Sequence, residues 1–428
     1  MLLLPPTPPP EPDALHAIQQ DPLESLEQFL ARARLKQGEL FAKLGKDLEA
    51  LVQRLEALTL PPTDQARDGL VDECVALGSE ATPLFVRWLD VGDASLEKER
   101  FRARQLAAAL ARMDTRAATA DLLNLLAKGT TEGRILAARV LETSPERERV
   151  RPALNAAFQS SNGQLREALA RALLRLWPED PKLLDDVFNG EDDALCAVAL
   201  GVITEAKNAA AEERVRRLLG DEARSTKHAL WILGYYQAMP ELVSIGHAKE
   251  LIALASNSKL PIATRLAIID ALPLFVTNSS NDLKKALDPL LNGADLKLSE
   301  SVLVVLARLG DRAAKKDLLK PYDDLVDNTP RWSQAFARRA DVLRRIGDYR
   351  EAERDYVKAL ELGRNDPNPQ PETYIGLARC ASLQGHFKEA AKWLQQAPIQ
   401  IAMLKALGSD PDFLKLKSSK YGDVFPGS

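Results

Sequence analysis

Cysteine, histidine, glycine and aromatic residues are all scarce in this chain of 428 residues. The three cysteines, Cys74, Cys196 and Cys380, lie far apart, which excludes a disulfide scaffold and a cysteine-rich metal site. Aromatic residues make up only 5% of the chain, and the 22 glycines are fewer than a large β-sandwich, β-barrel or dinucleotide-binding enzyme would normally need at its turns. These absences argue against all three of those fold types.

An excess of charge of either sign is missing as well. The 57 basic and 61 acidic residues give a net charge of -4, so charge alone does not require a nucleic-acid or anionic-membrane partner. No stretch approaches the ~18 uninterrupted apolar residues that a membrane helix needs. The start has three apolar residues, Leu2 to Leu4, and then six prolines within residues 5–12, which predicts an extended segment without an export signal. We therefore expect a cytoplasmic protein; the alternative is an exported or periplasmic one whose signal peptide has been trimmed.

Motifs of catalysis and cofactor binding are also absent. The chain has no Gly-rich phosphate loop, no GxSxG, no HExxH and no closely spaced Cys/His set. Its many acidic residues fall on solvated helix faces. The sequence therefore predicts a non-enzymatic protein with no catalytic residue, no cofactor and no metal ligand.

What the chain has instead is helical periodicity from about residue 64 onward. One apolar face is formed, at spacings of three and four, by Leu165, Ala168, Leu169, Ala172, Leu173 and Leu176. Prolines end this run, and a second short amphipathic run follows at residues 183–188. Hairpins of this kind recur about every 30–40 residues, with units that begin near Asp64, Glu97, Thr131, Asn162, Glu191, Asp221, Pro261 and Asp295. Since one hairpin cannot bury its apolar face alone, eight stacked hairpins predict one continuous core.

These hairpins resemble HEAT repeats, especially the short bacterial kind that is also found in phycobilisome lyases. The turn segments at residues 77–84 and 309–314 carry the resemblance, which covers about residues 64–326. The family's turn glycine is missing around Met113, Thr143 and Ile203. The resemblance implies an α-solenoid, and it raises a bilin-lyase-like or other small-ligand-binding enzyme as an alternative function.

The C-terminal part resembles two tetratricopeptide repeats. The residues that carry this resemblance are Phe336, Ala340, Leu343, Gly347, Tyr349, Ala352, Tyr356 and Ala359, and then Tyr374, Leu377, Ala378, Gly385, Phe387, Ala390, Leu394 and Ala397. Small side chains let paired helices approach, and large ones fill the gaps between turns. Arg339 departs from the family, which usually has leucine there, and this predicts that the first helix is weakly packed or exposed.

Together these patterns predict an all-α fold, a right-handed α–α superhelix in which a HEAT-like solenoid continues into tetratricopeptide-like repeats. The predicted organisation is a Pro-rich extended segment at 1–21, an N-terminal helix or helix pair at 22–62, about eight HEAT-like pairs at 64–326, two tetratricopeptide-like repeats at 333–398, and a capping helix and tail at 399–428.

The tetratricopeptide resemblance implies a scaffold or adaptor that binds protein or peptide partners on a concave face. The positions that line this face in the family are occupied here by Gln334, Asp341, Arg344, Arg345, Glu372, Ile375 and Arg379, and by Ser382 and Leu383. Because arginine makes multidentate contacts with carboxylates, the three arginines predict an acidic peptide as a partner. The Lys/Asn clamp of the chaperone-binding subfamily is not carried over, because Ala337 and Asp341 occupy the places of its first Lys and Asn.

Two other functions rest on separate features. His228, Trp231 and Tyr235 share one helical face by their spacing, and this face is either a ligand face or an aromatic packing face in a wider unit. Nucleic-acid binding would need a basic groove, but acidic residues interleave with the arginine clusters. Nucleic acid is therefore the least favoured partner.

Overall fold

The computed structural model describes Leu51 and residues 64–92, 97–277, 280–364 and 370–426. Within these residues the regular structure is entirely helical. The Pro-rich segment at 1–21 and, apart from Leu51, the N-terminal helix or helix pair at 22–62 lie outside the described residues. The chain divides into two compact units, unit 1 up to Val215 and unit 2 from Arg216.

The helices follow one another with short connections. In the described part of unit 1 they are α1 (Asp64–Ala76), α2 (Thr82–Val86), α3 (Glu97–Leu110), α4 (Thr119–Lys128), α5 (Thr131–Leu141), α6 (Arg147–Ser160), α7 (Gly163–Leu176), α8 (Pro181–Phe188) and α9 (Asp193–Glu205), and α10 (Glu212–Gly220) spans the division. Those of unit 2 are α11 (Glu222–Ala238), α12 (Ile245–Ser256), α13 (Ile262–Phe275), α14 (Asn281–Leu291), α15 (Leu296–Arg308), α16 (Arg312–Asn328), α17 (Ser333–Arg345), α18 (Tyr349–Leu362), α19 (Pro371–Leu383), α20 (Phe387–Gln396), α21 (Ile401–Leu407) and α22 (Leu414–Lys417).

In each unit the helices pack against their neighbours in sequence. Unit 1 has a layer in which α1, α3, α5, α7 and α9 contact in succession, and α2, α4 and α6 form a second layer. Unit 2 repeats the arrangement with α11, α13, α15, α17 and α19 in one layer. This packing confirms the predicted all-α fold of the α-solenoid type, in which each pair contacts mainly its neighbours.

Helix α7 shows why this periodicity forms a core. Its six predicted apolar positions are all buried, and Leu169 and Ala172 have no exposed surface. The helix packs against α5, α6, α8 and α9, so its apolar face is covered by the pairs on both sides. An isolated hairpin would leave much of this face in water, which is why the fold depends on stacking.

The helix starts are set by local hydrogen bonds. Asp192, Asp221 and Asp295 each stand at an N-cap and accept hydrogen bonds from backbone N–H groups in the first turn of α9, α11 and α15. A side-chain acceptor at this position satisfies donors that have no partner within the helix. These caps explain why the predicted unit starts lie so close to the observed helix starts.

Turns within the helix pairs require a left-handed backbone. Gly347 and Gly385, which follow α17 and α19, have φ angles of 90° and 80°. Glycine adopts this conformation without strain because it lacks a Cβ. Near Ile203, where the HEAT-like turn glycine is missing, Lys207 takes the left-handed conformation instead, with φ 49°.

The tetratricopeptide-like pairs continue the stack of unit 2. Helix α17 packs directly on α16, and the Nζ of Lys315 in α16 is paired with the Asp348 carboxylate, which precedes α18. Val304 and Leu318, from α15 and α16, share one core cluster with Leu343 and Tyr356. Two such repeats are below the number needed for independent stability, so this shared core stabilises them.

Arg339 contributes polar packing where the family usually has leucine. Its Nε donates to Asp355 Oδ2 at 2.7 Å and its Nη2 donates to Asp355 Oδ1 at 2.9 Å, while Nη1 lies 3.0 Å from Asp323 Oδ1. Asp355 is buried in α18, and Asp323 belongs to α16. Arg339 therefore does not leave its helix weakly packed or exposed, because its guanidinium bonds α17 to both α16 and α18.

Candidate protein-binding groove

A groove runs along the layer of α13, α15, α17 and α19 in unit 2. It encloses a cavity of about 230 Å³. Its lining comes from Asp270, Pro273, Val304, Val305, Arg308, Arg344, Arg345, Tyr349, Leu383 and Asp412. We call it the unit 2 groove. Valine, proline and leucine side chains supply its apolar surface, and three arginines and two aspartates supply its charged groups.

Two of these arginines differ in their partners. Arg345 Nη1 lies 2.6 Å from Glu300 Oε1, so its charge is shared with α15. Arg308, in the last turn of α15, is exposed and makes no ion pair within the described ranges. Leu383 is 41% exposed at the end of α19. The groove thus presents an available guanidinium beside an exposed apolar side chain.

Tyr356 of α18 connects α17 and α19, because it bonds to Asp341 and packs against Gly376. Its ring is 1% exposed, and its hydroxyl donates to Asp341 Oδ1 at 2.5 Å. Burial, reinforced by the Asp341 carboxylate, raises the pKa of Tyr356, so the phenol stays protonated at neutral pH. The exposed Asp341 is thereby held by a buried donor.

The C-terminal segment contacts the remaining two predicted arginines. After α21 the chain forms a 3-10 turn, Pro411–Phe413, that packs on α19. Arg379 Nη2 donates to Asp410 Oδ2 at 2.7 Å, and Arg344 Nη1 donates to Asp412 Oδ2 at 3.3 Å. Both arginines are thus paired with carboxylates of the chain itself, and the predicted acidic partner stays a prediction.

The other predicted groove residues differ in exposure. Gln334 is half-buried and Glu372 is exposed, each in the first turn of its helix. Ile375 is 3% exposed and packs in a core cluster with Ala378, Leu394 and Phe413. The side chain of Ile375 is therefore covered by the protein itself, whereas Gln334 and Glu372 reach solvent.

The three residues of the predicted aromatic face of α11 do not share one environment. His228 is 3% exposed and Tyr235 is fully buried, whereas Trp231 is 48% exposed. The Tyr235 ring packs edge-to-face on Tyr236, with ring centroids 5.4 Å apart. Because Trp231 faces solvent and the other two lie in the core, the three rings do not line a common pocket for a flat ligand such as a tetrapyrrole.

Two other cavities have a different character. One of about 460 Å³ lies in unit 1 among α3, α5 and α7, and charged side chains such as Arg104, Glu132 and Arg171 line it. Another of about 470 Å³ lies beside Tyr374 and Trp393, where the chain leaves the described residues after Arg364. Neither is lined by a residue of the predicted concave binding face or of the predicted aromatic face of α11.

Reactive and metal-binding groups contribute little to these surfaces. All three cysteines are buried, and burial raises the pKa of Cys380 to about 12, so this thiol stays protonated at neutral pH. Among the described residues, no group of three or more His, Cys, Asp or Glu side chains is placed to hold a metal ion. Nor does any described helix combine the length and apolar character of a bilayer span.

Comparison with known proteins identifies one part of the chain. A family model for the tetratricopeptide repeat matches residues 333–397, which include α17 to α20. Searches of curated proteins and of solved structures each returned no match. Tetratricopeptide repeats point to protein–protein interaction and are generally non-enzymatic. The HEAT-like character of residues 64–326 rests on the sequence pattern and stays a prediction.

The sequence did not predict a place in the binding site for Arg308, Glu300 or the acidic C-terminal segment. Arg308 stands in a HEAT-like helix, and the groove forms only when α15 packs beside α17. Arg344 and Asp412 are 68 residues apart in sequence. Local periodicity carries no signal for a contact of that separation.

Proposed function

We propose that the chain is a non-enzymatic scaffold or adaptor that binds a protein partner through the unit 2 groove. The observation that carries this proposal is the position of the matched tetratricopeptide region, whose first helices form one wall of the groove. Residues of α13 and α15 line the rest of the groove, and these helices pack in one layer with α17 and α19. A preorganised groove loses little conformational entropy on binding.

The chemistry of the groove favours a segment that combines an acidic and an apolar side chain. Arg308 offers an exposed guanidinium without an ion pair among the described residues, and guanidinium groups bind carboxylates with charge-assisted hydrogen bonds. Leu383 and Pro273 offer apolar surface a short distance along the same cavity. Arg345, Asp341, Gln334 and Glu372 supply further polar contacts in this proposal.

Reversing one charge in the groove tests the proposal. We expect Arg308→Glu to weaken partner binding by about tenfold or more, because a repelled carboxylate replaces an ion pair. The full-length protein serves as bait in its native extract, and the recovered partner is then titrated against each variant by calorimetry.

Arg312→Glu is the matched control. Arg312 is exposed on α16 and does not line the groove. Both variants replace one arginine by glutamate, so they have the same net charge. We expect it to bind the partner within about twofold of the wild-type protein. Equal losses for the two variants, or no loss for either, would place the partner outside the groove.

A further inference from the structure

The C-terminal turn fits against α17 and α19 as a peptide ligand would. Arg379 donates to Asp410 at 2.7 Å, and its Nε lies 3.7 Å from Asp412 Oδ2. Arg344 donates to the same Asp412 oxygen at 3.3 Å, and the Ser382 hydroxyl donates to the Asp412 carbonyl at 2.7 Å. Two carboxylates and one carbonyl are thus recognised by three side chains of the tetratricopeptide region.

Apolar contacts hold the backbone of this segment in place. Phe413 and Leu416 have no exposed surface, and Phe425 is 2% exposed. All three belong to the core cluster that includes Leu394 of α20. The segment is therefore part of the core of unit 2, and its backbone cannot leave the arginines without exposing these apolar side chains.

The carboxylates themselves are in a different position. The side chains of Asp410 and Asp412 are 21% and 29% exposed, and those of Arg344 and Arg379 are 18% and 28% exposed. Both Arg344 and Asp412 also line the open cavity of the unit 2 groove. Because Arg344 and Asp412 both line this cavity, a carboxylate that enters the groove competes with Asp412 for the Arg344 guanidinium.

We infer that Arg344 and Arg379 form a binding site for a pair of carboxylates, and that Asp410 and Asp412 are its resident internal competitors. An acidic segment of a partner must displace these two side chains from the arginines before it pairs with them. The internal carboxylates therefore lower the affinity of the groove for acidic segments in general. The inference rests on the proposed function only in that the partner segment enters through the unit 2 groove.

The test uses the full-length chain and a defined probe, a fluorescein-labelled peptide of six glutamates, followed by fluorescence anisotropy at low salt. Asp410→Asn together with Asp412→Asn removes both charges but keeps side-chain shape, including an acceptor for the Asp412 backbone N–H. We expect this double variant to bind the probe about tenfold more tightly than the wild-type protein. Adding Arg344→Gln and Arg379→Gln should abolish the gain.

Asp423→Asn is the matched control, because Asp423 is an exposed acid of the same segment and lies outside the arginine cluster. Its probe affinity should stay within about twofold of wild type. An unchanged probe affinity in the double variant would overturn the inference. So would a gain in affinity at Asp423→Asn, or a gain in the double variant that persists after both arginines are replaced. Because Arg308→Glu tests partner binding separately, a failure here with partner binding still lost at Arg308→Glu would leave the proposed function standing.

Discussion

Replacing Gly376 by alanine should destabilise unit 2 by about 3 kcal/mol, because the new methyl group has no space. A Cβ at this position would lie 2.3 Å from Cζ and 2.7 Å from Cε1 of Tyr356. The Tyr356 ring is buried in the core that joins α16 to α19, and its hydroxyl is bonded to Asp341. The ring cannot move aside without breaking that packing. Urea unfolding followed by circular dichroism gives the change in the free energy of unfolding, and hydrogen exchange locates it.

Gly234→Ala is the control for helix propensity. Gly234 lies inside α11, and a Cβ there would meet no atom within 4 Å. Alanine is the better helix former, so this variant should be unchanged or more stable by up to about 1 kcal/mol. A Gly376→Ala variant as stable as Gly234→Ala would contradict the close contact between Gly376 of α19 and the Tyr356 ring of α18.

Replacing Arg339 by leucine should also destabilise the protein, by about 3 kcal/mol, since it leaves a buried carboxylate without its partner. The tetratricopeptide family usually has leucine at this position, so a judgement from the family alone predicts the opposite sign. The structure gives Asp355, which is 8% exposed, two hydrogen bonds from Arg339. Removal of the guanidinium therefore costs more than the added apolar contact contributes.

A double-mutant cycle separates the ion pair from the other effects of the substitution. Asp355→Leu combined with Arg339→Leu should recover much of the lost stability, because no charge is then left buried. Asp323→Asn is the control at the exposed partner, whose side chain is 51% exposed, and should cost less than about 1 kcal/mol. An Arg339→Leu variant as stable as the wild-type protein would contradict the account of this pair. So would a double variant whose loss of stability equals the sum of the losses of Arg339→Leu and Asp355→Leu.

The repeating helices were predictable because their signals are local. Each predicted unit start lies within two residues of the first residue of a helix, from Asp64 for α1 to Asp295 beside Leu296 for α15. Apolar residues at helical spacing and an N-cap side chain such as Asp221 are both visible within one turn of sequence. The same holds for the turn glycines of the tetratricopeptide-like pairs.

The candidate site was predictable only in part, because it depends on distant contacts. The family pattern points to Arg344 and Arg379, but not to the carboxylates of Asp410 and Asp412 that meet them. It also includes Ile375, which the C-terminal segment helps to bury. On α11, spacing alone places Trp231 with His228, whereas packing buries His228 and leaves Trp231 exposed.

Site-specific photo-cross-linking in the native cell tests most directly whether the unit 2 groove holds the partner. A benzophenone amino acid in place of Leu383 lies on the wall of the groove, and the same residue in place of Leu296 lies at an 82% exposed position at the start of α15, outside it. The proposed function predicts one covalent protein adduct from position 383, lost with Arg308→Glu, and none from position 296. A partner that copurifies with the chain and is cross-linked from position 296 but not from position 383 would contradict it.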